Sequence, residues 1–450
     1  MAKPREISQG RELFRIPILE FADENHPLFH LANKIDWDSL ESHFDHLYND
    51  GSGQPPLRIR LVLGLHMLKY LDNLSDDAVV LKFVENPYYQ HFCGNIYFDH
   101  KLPCDSSSLT RWRLRINCKG FERVLKETID LAKREKVTTP SEFNRVYLDT
   151  TVQEKNIAFP TDAKLYFKGI RLLNNHANRV GIKPKQSFKF TAKRLMLKYG
   201  NYTHAKQVKR AKRCLRKLKT AFGRLIRDFN RKIKIQNIAD KKVERILSLC
   251  VRIFNQKRSD KNKIYSYHAP EVKCISKGKA HKRYEFGNKV SIASTAKNGW
   301  IVGVESFSEN IYDGKTANIY DGKTAADALV QVQTITGSPP KEALTDRGYR
   351  GYTGSFMGTQ IYHQGQRRGI FKAMRTWLRK RSRIEPLISH LKNDHRMDRN
   401  FLLGESGDKI NSILAGIAFN LKKIMRAMGG FCRILFLEAF SMQFELILEF

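Results

Sequence analysis

Acidic residues are scarce in this chain: 45 Asp and Glu stand against 80 Lys and Arg, leaving a formal charge of +35 over 450 residues. Internal pairing does not neutralise so large an excess, which calls for a polyanionic partner, nucleic acid first among them. Long apolar runs are also missing. Met1 to Gly10 holds no apolar stretch of the length a secretory signal needs, and no uncharged run of the ~18 residues of a membrane span occurs. The expectation is a cytoplasmic, nucleoid-associated protein with no membrane partner. Cysteine is sparse and irregular. Cys93, Cys104, Cys118, Cys214, Cys250, Cys274 and Cys432 are odd in number and never form C-x-x-C, which disfavours zinc and dithiol sites and predicts reduced, mostly buried thiols.

What is present suffices for packed cores: 41% of residues are hydrophobic and 11% aromatic, and the length suits about three domains. The positive charge is concentrated. Residues 164–263 carry 31 Lys/Arg and 4 Asp/Glu, so 27 of the 35 net charges lie in that segment. Within it Leu215, Leu218, Phe222, Leu225 and Phe229 recur at helical spacing, and Val243, Ile246, Cys250 and Phe254 resume it after Gln236-Asn237, predicting a helical hairpin. Arg213, Lys217, Arg224 and Arg231 fall on its outer faces almost without acidic neighbours to pair with. Like charges so arranged repel one another, and DNA phosphates would relieve that repulsion.

Several boundaries can be placed. After an N-terminal tail (1–25), residues 26–137 read as a compact helical domain, rich in leucine from Leu61 to Leu71. Asp105-Ser106-Ser107-Ser108 is a run of N-cap residues before Leu109-Thr110-Arg111-Trp112-Arg113-Leu114-Arg115, so a helix starts there with Arg111 and Arg115 near its first turns. A recognition helix and an ordinary surface helix fit these residues equally. Beyond the polar boundary Thr138-Thr139-Pro140-Ser141, a second domain spans 142–425, with the basic helical segment as an insertion at about 165–263. Tyr265–Ile275, Tyr284–Ala293 and Trp300–Phe307 read as strands, with Asn298-Gly299 as a hairpin turn; a helix follows over Thr324–Thr336 and another over Phe371–Leu391, interrupted only at Pro386. The octapeptide NIYDGKTA occurs twice, from Asn310 and from Asn318, a duplication that a loop between strand and helix can absorb. The segment 426–450 is an apolar tail, readable as a docking helix or a read-through extension.

The chemistry rests on three carboxylates. Asp149 and Asp346 each end a short apolar strand, Val146-Tyr147-Leu148 and Ala343-Leu344-Thr345, and Glu385 lies on the late basic helix. Singly, each reads as a cap or a surface residue. If the two strands are neighbours, the aspartates meet at one sheet edge, and a crossing helix can add the glutamate. Such a cluster repels itself unless Mg²⁺ or Mn²⁺ neutralises it, and two such ions suit in-line displacement at phosphorus.

The runs Tyr147-Leu148-Asp149-Thr150-Thr151-Val152, Leu344-Thr345-Asp346-Arg347-Gly348-Tyr349-Arg350-Gly351 and Ile384-Glu385-Pro386-Leu387-Ile388-Ser389-His390-Leu391-Lys392 resemble those of bacterial insertion-sequence DDE transposases, most closely the insertion sequence five family. The likeness extends from about His26 to Met425 and takes in Lys279 to Val290 and Asp394-His395-Arg396-Met397. It implies a mixed α/β, ribonuclease H-like catalytic domain with Asp149, Asp346 and Glu385 as metal ligands, preceded by a helical domain that engages the element's ends. The family spaces a Tyr, an Arg, the Glu and a Lys; Arg381, Glu385 and Lys392 match, and Leu378 stands where the Tyr is expected. Arg381 and Lys392 are then expected to hold DNA phosphates; Lys279, His281 and Lys282 fit a segment that follows the DNA backbone and fit a solvated turn almost as well. The implied activity is cleavage at the ends of a mobile element and transfer of 3′-hydroxyls to target DNA, by a dimer or larger assembly on paired ends. Two other readings remain: a degenerate transposase that only binds terminal repeats, and a ribonuclease H-like nuclease that cuts without joining.

Overall fold

The computed structural model describes residues 15–48, 56–276, 283–307, 317–349, 355–366 and 369–448, with 317–323, 355 and 429–448 as backbone only. Lys279, His281 and Lys282 lie outside the described residues, as do the first NIYDGKTA copy up to Thr316 and the side chain of Cys432. The chain divides into two compact units, 1–154 with 289–450 and, inserted between them, 155–288.

The first unit opens with α1 (Ile18–Phe21), α2 (Pro27–Lys34), α3 (Trp37–Phe44), α4 (Ile59–Leu71), α5 (Asp76–Glu85), α6 (Pro87–Phe92) and the long α7 (Ser106–Arg134). Local chemistry sets these boundaries. Asp36, Ser75, Asn86 and Asp105 each cap a helix by accepting a backbone N–H, and Pro87 occupies the first turn of α6, where no hydrogen bond is lost. In α4 every residue except Arg60 is buried, as befits a helix apolar all round. The N-cap run at Asp105 starts α7 as the sequence predicts, but α7 is not one smooth helix. Asn117 adopts φ 56°, ψ −174°, and its Oδ1 accepts from Lys119 N at 2.9 Å, so it ends one segment and caps the next.

β1 (Arg145–Lys155) carries the chain out of this unit and β3 (Tyr284–Thr295) brings it back, after α8 (Asp162–Arg179), α9 (Lys189–His204), α10 (Val208–Ile235), α11 (Lys241–Asn255) and β2 (Lys273–Ser276). Then follow β4 (Ile301–Phe307), α12 (Ala317–Thr336), β5 (Glu342–Thr345), β6 (Ser355–Phe356), β7 (Thr359–His363), α13 (Lys372–Arg379), α14 (Ile384–Asn393), β8 (Arg399–Asn400) and α15 (Gly404–Leu448). Within the first unit the strand order is β4-β3-β1-β5-β7-β6, with β8 beside β1. β3 and β4 form the antiparallel hairpin expected at Asn298-Gly299, with Gly299 at φ +69°, and β5 and β7 run parallel with β1. Glu142 fastens that hairpin: its carboxylate accepts from Thr138, Thr295 and both the backbone and side-chain nitrogens of Asn298.

Three expectations are adjusted. The segment 26–137 is not a separate body: Leu28 through Leu131 share one core with Val146 and Leu148 of β1 and with Ile410 to Ile424 of α15, because the apolar faces of α7 pack against α15 and α12 as well as against its own helical neighbours. The inserted unit, at 155–288, is wider than the basic helices alone, since chain on either side and β2 join it. The helix expected from Thr324 starts at Ala317, so the second NIYDGKTA copy is helical rather than loop. The apolar tail continues α15, whose backbone is helical to Leu448. Among the described residues no helix is long and apolar enough to cross a membrane.

The inserted unit has its own core. Leu218, Phe222, Leu225 and Phe229 of α10 pack with Val243, Cys250 and Ile253 of α11 and Leu165, Tyr166 and Ile170 of α8, so the predicted hairpin forms with the predicted buried face. Gly169 permits this approach, since a Cβ there would fall against the Tyr267 hydroxyl and within 2.5 Å of the Phe222 ring. α8 and α9 escape a simple reading because α9 buries only Ala192 fully.

Candidate active site

β1 and β5 pair in parallel with Val146 opposite Ala343 and Tyr147 opposite Leu344. Extending this register two residues along each strand sets Asp149 opposite Asp346, and neighbouring strands lie about 4.8 Å apart. Side chains alternate across a strand, so Asp149 shares a face with Tyr147, and Asp346 with Leu344. That face is covered by the late helices: Tyr147 and Leu344 are buried with Met374 and Leu378 of α13 and Ile384 of α14. Glu385, adjacent to Ile384, is thus carried over the same sheet face, with its side chain exposed. Leu378, where a Tyr was expected, is a core residue here, only 6% exposed.

Two further contacts fix this arrangement. Arg145 of β1 bonds Glu342 of β5 through Nε, and its guanidinium lies 4.8 Å from the Trp377 ring centre. The Tyr147 hydroxyl donates to Trp377 O at 3.1 Å. Pro386 does not kink a long helix as its position suggests. The chain turns through a short 3₁₀ segment, Lys380–Arg383, and α14 begins afresh, which puts Pro386 in a first turn where its missing N–H is harmless.

Arg381 sits in that 3₁₀ turn, 9% exposed, with Nη1 3.2 Å from Asp149 Oδ2. The contact is an ion pair, and Nε and Nη1 are buried. Sequence reasoning assigned Arg381 to DNA phosphate; in this structure its guanidinium faces the Asp149 carboxylate. Burial pushes the Asp149 carboxyl above its usual range and the nearby Asp346 charge adds to this, while Arg381 and the Thr150 N–H oppose it. Asp346 Oδ1 accepts from Gly348 N at 2.9 Å, an Asx turn that holds it at the strand end. Among the described residues no group of three His, Cys, Asp or Glu is close enough to hold a metal, so Glu385 does not close on the two aspartates. The aspartate pair by itself fits a hard cation: both are oxygen donors, the pair is self-repelling, and Mg²⁺ needs only one or two carboxylates beside water and phosphate.

The remaining candidates are dispersed. Arg111 and Arg115 are exposed on the first segment of α7, Arg115 stacking 5.3 Å over Trp112, while Arg113 between them is buried. Lys392 is half-buried near the end of α14. Arg213, Lys217, Arg224 and Arg231 are all exposed on α10.

Sequence reasoning missed a buried charge cluster in the helical segment. Asp76 Oδ1 accepts from Lys69 at 2.7 Å and from Arg113 at 2.6 Å, with both cations about 5% exposed. Burial lowers Lys69 to about 8 and the neighbouring His66 to about 3. It also missed a polar seam joining β1 to α4 and α15: Gln153 to Asn411, Asn411 to Tyr70, and Tyr70 O to His395. Only the Arg-x-Arg periodicity of α7 pointed toward the first of these.

Residues 17–115 match the family described as Transposase domain (DUF772), a stretch from α1 to the first turns of α7 that includes Arg111 and Arg115. Over 206 residues, 46% of this chain and 99% of the other, the sequence is 40% identical to "Uncharacterized protein ORF8 in nfe locus" of Rhizobium meliloti. No solved structure matches the chain. The protein belongs to the family of that rhizobial protein, and its residues 17–115 match a transposase domain.

Proposed function

We propose that the protein is a DDE transposase of the insertion sequence five type, with a ribonuclease H-like catalytic domain built on β4-β3-β1-β5-β7. The observation that carries this reading is the parallel pairing of Tyr147 with Leu344, a register that, continued by two residues, sets Asp149 against Asp346, beneath the helices that bear Glu385. An antiparallel β3-β4 pair beside β1, followed by β5 and β7 parallel with β1, supports the fold assignment.

Asp149 and Asp346 would hold Mg²⁺ or Mn²⁺; Glu385, which does not reach them in this structure, would have to approach to become the third ligand. The ions supply Lewis-acid stabilisation of the phosphoryl oxygens and a nucleophile active at neutral pH. The chain's own part is electrostatic and positional. Tyr147, Ile384 and Leu378 fix the distance between sheet and α14, the Gly348 N–H orients Asp346, and Arg381 balances the charge of Asp149. The net charge of +35 supplies long-range attraction for terminal-repeat and target DNA. A dimer on paired ends belongs to the same reading.

The test uses labelled DNA carrying the element's terminal repeats, with Mg²⁺. Joined products are expected of a transposase, cleaved ends alone of a nuclease, and shifted but intact DNA of a non-catalytic binder. Asp149→Asn, Asp346→Asn or Glu385→Gln should each abolish products and leave binding intact; turnover surviving any of them refutes that residue's assignment.

A further inference from the structure

The inserted unit contains a recess of about 470 Å³. One wall is the loop between α8 and α9, through Lys185, Gln186 and Phe188; the other is α10, through Arg224, Arg227 and Arg231. The three arginines fall at i, i+3 and i+7, hence on one helix face. With Lys185 they place four cations around a space whose lining holds a single acid, Asp228. That acid is engaged: Oδ2 accepts the Lys185 backbone N–H at 2.7 Å and Oδ1 accepts from Arg231 at 2.7 Å.

The loop is held in place. Asn174, 2% exposed, donates to Ser187 O at 2.9 Å, and Lys232 Nζ donates to Lys183 O. Between these anchors Phe188 is kept at φ 54°, ψ 9°, a left-handed conformation that bulky residues adopt only when their surroundings impose it. Its ring packs partly on the unit's core and partly lines the recess. The space is of nucleotide size and too small for a double helix. A cationic groove with an aromatic wall is the composition that binds unpaired strands, where phosphates meet arginines and bases stack on rings.

We propose that this recess takes an unpaired nucleotide of single-stranded DNA, with its phosphate among Arg224, Arg227 and Arg231 and its base against Phe188. The proposal rests on DNA being the partner of the chain, and adds a site that distinguishes strand from duplex. Arg213 and Lys217, nearer the start of α10, are not part of the recess.

The experiment uses the full chain in EDTA, so that strand chemistry plays no part. Fluorescence anisotropy compares a labelled oligo-dT strand with a duplex of equal length at several salt concentrations. Phe188→Leu should weaken strand binding roughly tenfold and leave duplex binding within about twofold. Arg227→Ala, at an exposed position, should lower the salt slope for the strand by about 0.7. Thermal melting of Phe188→Leu checks that the fold is retained, and Arg227→Ala decides the matter if it is not. Unchanged strand binding, or equal loss on strand and duplex, overturns the recess alone; binding to neither DNA overturns the DNA reading as well.

Discussion

Removing the Arg381 guanidinium should expose how strongly it is coupled to Asp149. The charges approach to 3.2 Å, with the side chains 11% and 16% exposed. At an effective dielectric of about 20, appropriate to such a site, their Coulomb attraction is on the order of 5 kcal/mol before desolvation. The removal of both groups from water takes back most of that, leaving about 1–2 kcal/mol of net coupling. The assay is a double-mutant cycle in urea at pH 7 with Arg381→Ala, Asp149→Asn and the double variant. Each single variant strands a partly buried charge and should destabilise by about 2–3 kcal/mol, with the double variant losing less than their sum. A coupling below ~0.3 kcal/mol, within the error of additivity, would show that the pair is mere proximity. Mg²⁺ provides a second arm. With its competitor gone, Arg381→Ala should gain more thermal stability from Mg²⁺ than the wild type does, and equal gains would refute the aspartates as a cation site.

Asp76 offers a pH test. Burial opposes its ionisation, but Lys69 and Arg113 overcome this and hold its pKa below the ordinary value. A depressed carboxyl contributes stability above the unfolded-state pKa, and that contribution disappears as pH falls through the folded value. Asp76→Asn should therefore destabilise by about 3–5 kcal/mol at pH 7 and flatten the stability profile below roughly pH 5. An acid limb as steep as the wild type's would show that other carboxyls set it. Phe222→Ala removes a fully buried ring and should cost about 3–5 kcal/mol. Hydrogen exchange should then accelerate in α8, α10 and α11 but not in β1 and β5, and uniform acceleration would contradict separate cores. Arg213→Ala with Lys217→Ala should lower the salt slope of duplex binding by up to about 1.8 for every sequence alike, and an unaltered slope would remove this face of α10 from the DNA interface.

The parts of this molecule visible in its sequence are those governed by local rules. The N-cap at Asp105, the hairpin turn at Gly299 and the apolar stripe of α10 each follow from a few adjacent residues, and each is where those residues place it. Asp149 and Asp346 were legible as strand ends, but their juxtaposition depends on a parallel pairing across about 200 residues that no local pattern encodes. The same limit hid the pairing of Arg381 with Asp149, of Asp76 with two buried cations, and of Phe188 with the α10 arginines. Each brings together groups whose separation in sequence carries no periodic signal. Pro386 misled for a different reason: proline disrupts a continuing helix yet suits a starting one, and only the 3₁₀ turn before it decides which applies.

The break at Asn117 bears on how the long helix behaves under load. Its backbone lies in a region that glycine alone enters readily, and its surroundings hold it there: Leu109, Trp112 and Ile116 before the break and Phe121, Val124 and Leu125 after it all sit in one interior. A force applied at Arg111 and Arg115 would therefore pass into that shared interior through both segments rather than run along one continuous rod.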